Sequence, residues 1–359
     1  MKDMIKNVVA ELSKSPDFKR LIFVLGLLGL WLWSTKSNEL VKIKTIFKKM
    51  MFWFDSIIYM ILAKDNKGLG VKYQQVNTAP DPIHVKKNIG DTKVKRLIFI
   101  RHGESDWNSV FNKGKNIGML FRLIYAVLTE WSMIFSLDSP FLDSPLNEEG
   151  IQQALELRKY LEEDHEGDSE SQKEILAILR GEKGSSTIVS STLRRAISTT
   201  TLAIWPRIQR TGEKIHLLSY AQEISRNVDT CSLSATNTVP DLPFSRVVPH
   251  CADINTSAFN TSLNLGNKGL KFYGKSRIES FNKWLFECNE DTIIVGGHSL
   301  WFKCFFNLYL PFESTHRSKS EKLTNSGVIA FNIHKANDQK SYMIDENSIE
   351  TIYGGFTKK

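Results

Sequence analysis

The chain has 359 residues, of which 42% are hydrophobic, and a formal net charge of +8; this is globular composition, with room for one large domain or two ordinary ones. The charge is not spread evenly, since residues 1–90 hold 15 Lys/Arg against 7 Asp/Glu whereas the remaining 269 residues hold 32 of each sign. A nucleic-acid groove running across the whole protein is thereby excluded.

Residues 1–90 read as a basic, apolar membrane-anchoring region followed by a linker. Leu21 to Trp33 is an uninterrupted apolar run of 13 residues with Lys19 and Arg20 before it and Lys36 after it. Spanning a bilayer core takes about 20 apolar residues, so the run is marginal as a transmembrane helix. Met50 to Ala63, interrupted by Asp55 and preceded by Lys48 and Lys49, suits a helix lying in the interface or the return leg of a shallow hairpin. Both segments also suit ordinary core helices packed on a soluble domain. A membrane contact through residues 18–63 is the expectation, with Trp31 and Trp33 as interfacial anchors. Residues 64–94, rich in Gly, Pro and polar side chains, read as linker.

From Lys95 the pattern alternates between strands and helices. Arg96–Ile100 is a buried strand that ends in Arg101-His102-Gly103. An apolar helix is expected over Met119 to Phe135, inside an insertion spanning 109–142. Its Met119, Leu120, Ile124, Val127, Leu128 and Trp131 either pack on the domain flank or touch membrane or an apolar substrate. Asn147 caps a helix over Ile151–Glu163, with Glu148 and Glu149 placed against its dipole. A polar loop follows at 164–172. The strand Ser186–Val189 runs into a helix that a serine can cap and that continues to about Ile204, bringing Arg194 and Arg195 near a helix N-terminus. Lys214–Leu218 is a third strand, followed by Glu223, and residues 226–275 form a long irregular segment of the kind that serves as a functional lid. Thr292–Val295 is a further buried strand that ends in Gly297-His298, and Val328–Ile333 and Tyr342–Ile344 complete the sheet.

Two strand ends thus present histidines and a third presents arginines, all at one edge of one sheet. A phosphoryl group suits such an assembly: guanidinium forks match its oxygens, and helix N-termini offer free N–H groups. A neutral imidazole among arginines can attack phosphorus while the arginines carry the developing charge. No metal or cofactor is called for, and the cysteines, Cys231, Cys251, Cys288 and Cys304, lack ligand spacing and read as reduced thiols on a cytosolic side.

Arg101 to Asn108, RHGESDWN, resembles the RHGESxWN signature of the histidine phosphatase superfamily, the phosphoglycerate-mutase-like proteins. Asp143–Leu146 with Gly150, Ser191 to Ala196, Glu223 and Gly297-His298 resemble that family's further motifs in the same order, over residues 95 to about 335. The resemblance implies a three-layer α/β/α sandwich with a mostly parallel central sheet over residues 91–359. It implies His102 as the nucleophile that becomes phosphohistidine, and Arg101, Arg195 and His298 as holders of the phosphoryl oxygens, assisted by Asn108 and, secondarily, Ser105. Glu223 is implied as the proton donor to the leaving group and then the base for water, while Arg194 is left to solvent or substrate. The expected activity is metal-independent hydrolysis of a phosphomonoester on a small molecule, lipid or phosphoprotein, by a membrane-associated enzyme. Mutases of the family carry an Arg-Arg-Ser-Tyr-Asp-type segment between the acid and the second histidine; here Ser225 to Asp229 reads SRNVD, which favours a phosphatase over a mutase. A tethered module without turnover is the remaining alternative, and the retained histidines, arginines and acid speak against it.

Overall fold

The computed structural model describes residues 38–67, 69, 93–114, 116–240, 247–251, 253–336 and 342–358. Leu21–Trp33, the expected transmembrane run, lies outside the described residues, as does most of the 64–94 linker. The described chain opens with a 25-residue helix, α1 (Asn38–Leu62). No helix among the described residues is long and apolar enough to cross a membrane.

The sheet is built from the apolar runs of the sequence. Its strands are β1 (Lys93–Arg101), β2 (Ser186–Ser191), β3 (Ile215–Leu218), β4 (Phe259–Asn260), β5 (Thr292–Gly297), β7 (Val328–Lys335), β8 (Tyr342–Ile344) and β9 (Glu350–Tyr353), while β6 (Lys322–Leu323) pairs separately with β10 (Phe356–Thr357). Their order is β4-β3-β2-β5-β1-β7-β8, with β9 also on β7. The five strands from β4 to β1 run parallel and the β7 side is antiparallel. Alternation along β1 sends Ile98 and Ile100 to one face and Leu97 and Phe99 to the other. On the first face they meet α4 (Glu148–Glu162), α5 (Glu170–Arg180) and α6 (Arg194–Thr211); on the second they meet α7 (Gly274–Glu287) and α8 (Ser299–Tyr309). One core on each face makes three layers, as a buried parallel sheet requires.

Three local expectations change. The polar stretch before Gln172 is not all loop, because Ser169 and Gln172 form a capping box that starts α5. The helix after β2 continues past Ile204 to Thr211, bending at Ile204 just before Pro206. Residues 64–67 are not linker: Asp65 is buried and pairs with Arg277 at 2.8 Å. The insertion forms α2 (Asp106–Phe111) and α3 (Ile117–Ser132), and α1 packs on it. There Lys49 Nζ donates to the carbonyls of Met133 and Asp138 at 3.0 and 2.8 Å and pairs with Glu130 at 3.1 Å.

Register brings the functional strand ends level. Arg101 lies opposite Gly297 across β1 and β5, and Ser190 opposite Gly296 across β2 and β5. The turn after β1 then passes so close to α4 that a Cβ on Gly150 would sit 2.0 Å from the Glu104 carbonyl oxygen, and one on Gly103 would sit 2.6 Å from the Gly150 carbonyl. Only backbone without a side chain fits there. Gly150→Ala is expected to lower the unfolding free energy by roughly 3 kcal/mol, the upper range for overpacking, as measured by urea denaturation; an unchanged midpoint would show that this approach is not tight.

Candidate active site

Beyond the C-terminal ends of β1, β2 and β5 lies a cavity of about 120 Å³ lined by Arg101, His102, Asn108, Arg195, Glu223 and Asp229, with Trp107, Ser225, Ser299 and Lys322 among its other walls. This is where ligands sit in open α/β sheets. His102, Arg101, Arg195, His298 and Glu223 are all buried, and the rings of His102 and His298 are 5.1 Å apart.

The environment of His102 fixes its tautomer. Its Nδ1 lies 2.6 Å from the Gly103 carbonyl oxygen, which can only accept, and its Nε2 lies 3.3 Å from Arg195 Nε, which can only donate. Nδ1 therefore carries the hydrogen and Nε2 presents a lone pair toward the arginine. Burial, followed by the charges of Arg195 and Arg101, pushes the imidazole well below the usual 6.5, so it stays neutral at neutral pH. His298 is lowered in the same way, by burial first and then by Arg195. Its Nε2 is 2.8 Å from Ser191 Oγ, and its Nδ1 is buried without a protein partner. Arg101 donates through one terminal nitrogen to the Leu323 carbonyl, and its Nε is likewise buried without a partner. A phosphoryl oxygen would complete both.

Glu223 reaches the cavity from the turn after β3. Its Oε1 accepts from the backbone N–H of Ile224 and of Trp301, both at 2.9 Å, the latter in the first turn of α8. The acid is thus held by the N-terminus of the helix that follows His298.

Three sequence assignments are corrected. Ser105 is not brought to the cavity: its Oγ accepts from the Asn108 N–H at 3.2 Å as the cap of α2, which in turn positions Asn108. Arg194 faces neither solvent nor substrate. It is buried and clamps the end of the insertion, with Nε donating to the Asp143 carbonyl at 2.8 Å and a terminal nitrogen to those of Ser139 and Leu142 at 3.0 Å. No serine caps α6, because Asp143 Oδ1 takes the Arg194 N–H at 2.9 Å instead, while its Oδ2 takes that of Leu233 at 3.0 Å.

Two functional features escaped the sequence reading. Asp229 is buried in the cavity, with Oδ2 at 3.3 Å from Arg195 and its carbonyl accepting from Arg195 at 2.8 Å. Burial pushes its carboxyl up to about 6 against the pull of Arg195, and the charge of Glu223 adds to the rise. The second feature is a buried ionic knot behind Glu223. Asp65 pairs with Arg277 at 2.8 Å and Lys268 at 3.3 Å, and the same two cations donate to the Glu223 carbonyl at 3.1 and 2.8 Å. Burial pushes the Asp65 carboxyl up, but Lys268 and Arg277 outweigh it and hold the group below the usual carboxylate range. Lys268 also ties the start of the 226–275 segment through the Ser225 carbonyl at 2.6 Å and Thr230 Oγ1 at 3.0 Å. No group of three His, Cys, Asp or Glu among the described residues is placed to hold a metal ion.

No family model matches the chain, and no curated protein matches it. Solved structures do. A mycobacterial glucosyl-3-phosphoglycerate phosphatase matches at 13% identity and a TM-score of 0.34, covering 70% of this chain and 97% of its own. A phosphoserine phosphatase from Entamoeba histolytica, solved with phosphoserine, matches at 18% identity and a TM-score of 0.32, covering 72% and 96%.

Removing Asp65 leaves two cations buried without a counter-ion. Asp65→Ala is expected to destabilise the protein by about 3–5 kcal/mol, the range for a broken buried ion pair, as read by chemical denaturation. A loss below about 1 kcal/mol, the range of exposed pairs, would mean that the knot is solvated.

Proposed function

We propose that this protein is a phosphomonoester hydrolase working through a phosphohistidine on His102. The observation that carries the reading is the tautomer lock on His102: a buried neutral imidazole with its Nε2 lone pair turned toward Arg195, in a cavity that Arg101 also lines. In the first step Nε2 attacks phosphorus, the ester P–O bond breaks, and the leaving oxygen takes a proton from the Glu223 carboxyl. In the second step the Glu223 carboxylate takes a proton from water as that water attacks phosphorus. The P–N bond breaks and phosphate leaves, with Glu223 protonated again. Arg101, Arg195 and His298 hold the three non-bridging oxygens, and their positive and donor groups stabilise the charge gained in the transition state. Asn108 supports the same oxygens from α2.

The leaving alcohol is given a polar path. A cleft of about 670 Å³ shares Arg101 and Asn112 with the phosphoryl cavity and is lined by Glu104, Lys113, Gln153 and Asn325. Such a lining suits a hydroxyl-rich or charged alcohol better than an alkyl one. Full-length protein is expected to release phosphate from an aryl phosphate and to prefer hydrophilic phosphomonoesters over alkyl phosphates. His102→Ala is expected to reduce the rate by at least about a thousandfold, since it removes the nucleophile, and rapid quenching should trap acid-labile phosphate on the wild type alone. Phosphate release that survives in His102→Ala would remove the reading.

Asp229 gives the cavity a pH dependence. Its carboxyl is protonated below about 6 and ionised above it, and the ionised form competes with the substrate for Arg195. The KM of the wild type, divided by that of Asp229→Asn, is therefore expected to rise as pH increases through about 6. A ratio that stays flat from acid to neutral pH would show that the carboxylate does not oppose binding.

A further inference from the structure

We propose that the outward faces of α1 and α3 form a platform that docks on an anionic bilayer surface, beside the mouth of the phosphoryl cavity and independently of the reaction catalysed there. The sixteen residues of α3, IGMLFRLIYAVLTEWS, include only Arg122 and Glu130 as charged groups. The helix has two apolar faces. Leu123 and Ala126 pack inward with Val110, Phe141 and Leu142, and Glu130 is also spent inward, on Lys49, Trp53 and Ser139. Outward, at helical spacing, stand Ile117, Phe121, Ile124, Leu128 and Trp131, which are 77, 66, 48, 63 and 70% exposed. A helix apolar on both faces needs cover on both, and an exposed patch of this size is not a chance feature of a monomer surface.

Beside α3, α1 repeats the arrangement. Ser56 and Tyr59 face inward, while Met50, Met51, Phe54, Ile57 and Met60 are exposed. Lys49 and Trp53 join the two helices through Glu130.

The sequence and its charge identify the occupant. The run Leu21–Trp33 ends five residues before α1 begins, and at 13 apolar residues it is marginal as a span and suits the bilayer interface. So short a tether keeps α1 near any surface that takes up the run. The whole excess of positive charge lies in residues 1–90, including Lys42, Lys44 and Lys48 on α1 itself. Each basic side chain near an anionic leaflet contributes about 1 kcal/mol. A second copy of this chain would instead bring two basic surfaces together. The platform also adjoins the site, because Trp107, which lines the phosphoryl cavity, belongs to the same side-chain cluster as Leu123 and Ala126 of α3.

The test uses the full chain with vesicles of phosphatidylcholine, with and without phosphatidylserine. The wild type is expected to partition onto the anionic vesicles, with slowed backbone hydrogen exchange over 117–131. The double variant Leu120→Glu, Leu128→Glu, at two exposed positions outside the catalytic cavity, is expected to lose partitioning by about tenfold or more. Its hydrolysis of a soluble aryl phosphate and its melting temperature should be unchanged. Wild-type failure to bind anionic vesicles overturns the proposal, as does a variant that binds like the wild type with exchange over 117–131 unaltered. Light scattering that shows a dimer, converted to a monomer by the double variant, would also overturn it by assigning the face to a second copy.

Discussion

The site depends on the imidazole of His102 being held between an obligate acceptor and an obligate donor. The Gly103 carbonyl takes the hydrogen on Nδ1, and Arg195 directs its own N–H at Nε2. Neither contact is local luck. Arg195 stands in the first turn of α6, which is fixed because Asp143 accepts the Arg194 N–H and Arg194 in turn clamps the carbonyls at the end of the insertion. Gly103 can turn its carbonyl back onto the ring because its α-carbon lies against Gly150, at a distance that no side chain tolerates. Neutrality follows from burial beside two guanidiniums, so the arginines that line the cavity also keep His102 unprotonated.

The acid side of the cavity is built on longer-range ties. Glu223 is held from the front by the first turn of α8 and from behind by Lys268 and Arg277, and both cations pair with Asp65, which follows α1. A residue of the basic N-terminal region is therefore part of the support of Glu223. Breaking a buried pair of this kind leaves charges that the interior cannot solvate, which makes the connection rigid. Residues 38–67 thus pack on the rest of the described chain, and the segment after Glu223 is pinned at Ser225 and Thr230 by the same lysine.

Much of this arrangement was legible in the sequence because the signals were local. Four consecutive apolar residues in Leu97–Ile100 suit a covered strand and form one, Asn147 before two glutamates is a helix start and caps α4 as expected, and the two histidines fall where strands end. The family-like motifs placed His102, Arg101, Arg195, Glu223 and Asn108 around one cavity, with His298 next to His102. The misses involve side chains whose partners are distant in sequence. Spacing puts Arg194 near a helix N-terminus but does not say that carbonyls 52 and 55 residues away will use up its donors. Ser105 sits in the motif, yet its oxygen caps its own helix and it is not among the residues lining the cavity. Asp229 and Asp65 lie in stretches without periodicity, and only the folded chain shows that each is buried against a cation. The α5 helix was masked by the polar residues that form its capping box.

Nitrogen-15 NMR of the His102 side chain tests the central claim most directly. From pH 5.5 to 8 the ring should remain neutral, with a proton on Nδ1 and an unprotonated, acceptor-type Nε2, as burial and the two arginines require. An imidazolium at pH 6, or a neutral ring carrying its proton on Nε2, would contradict it, because the nitrogen assigned to attack phosphorus would then have no lone pair to offer.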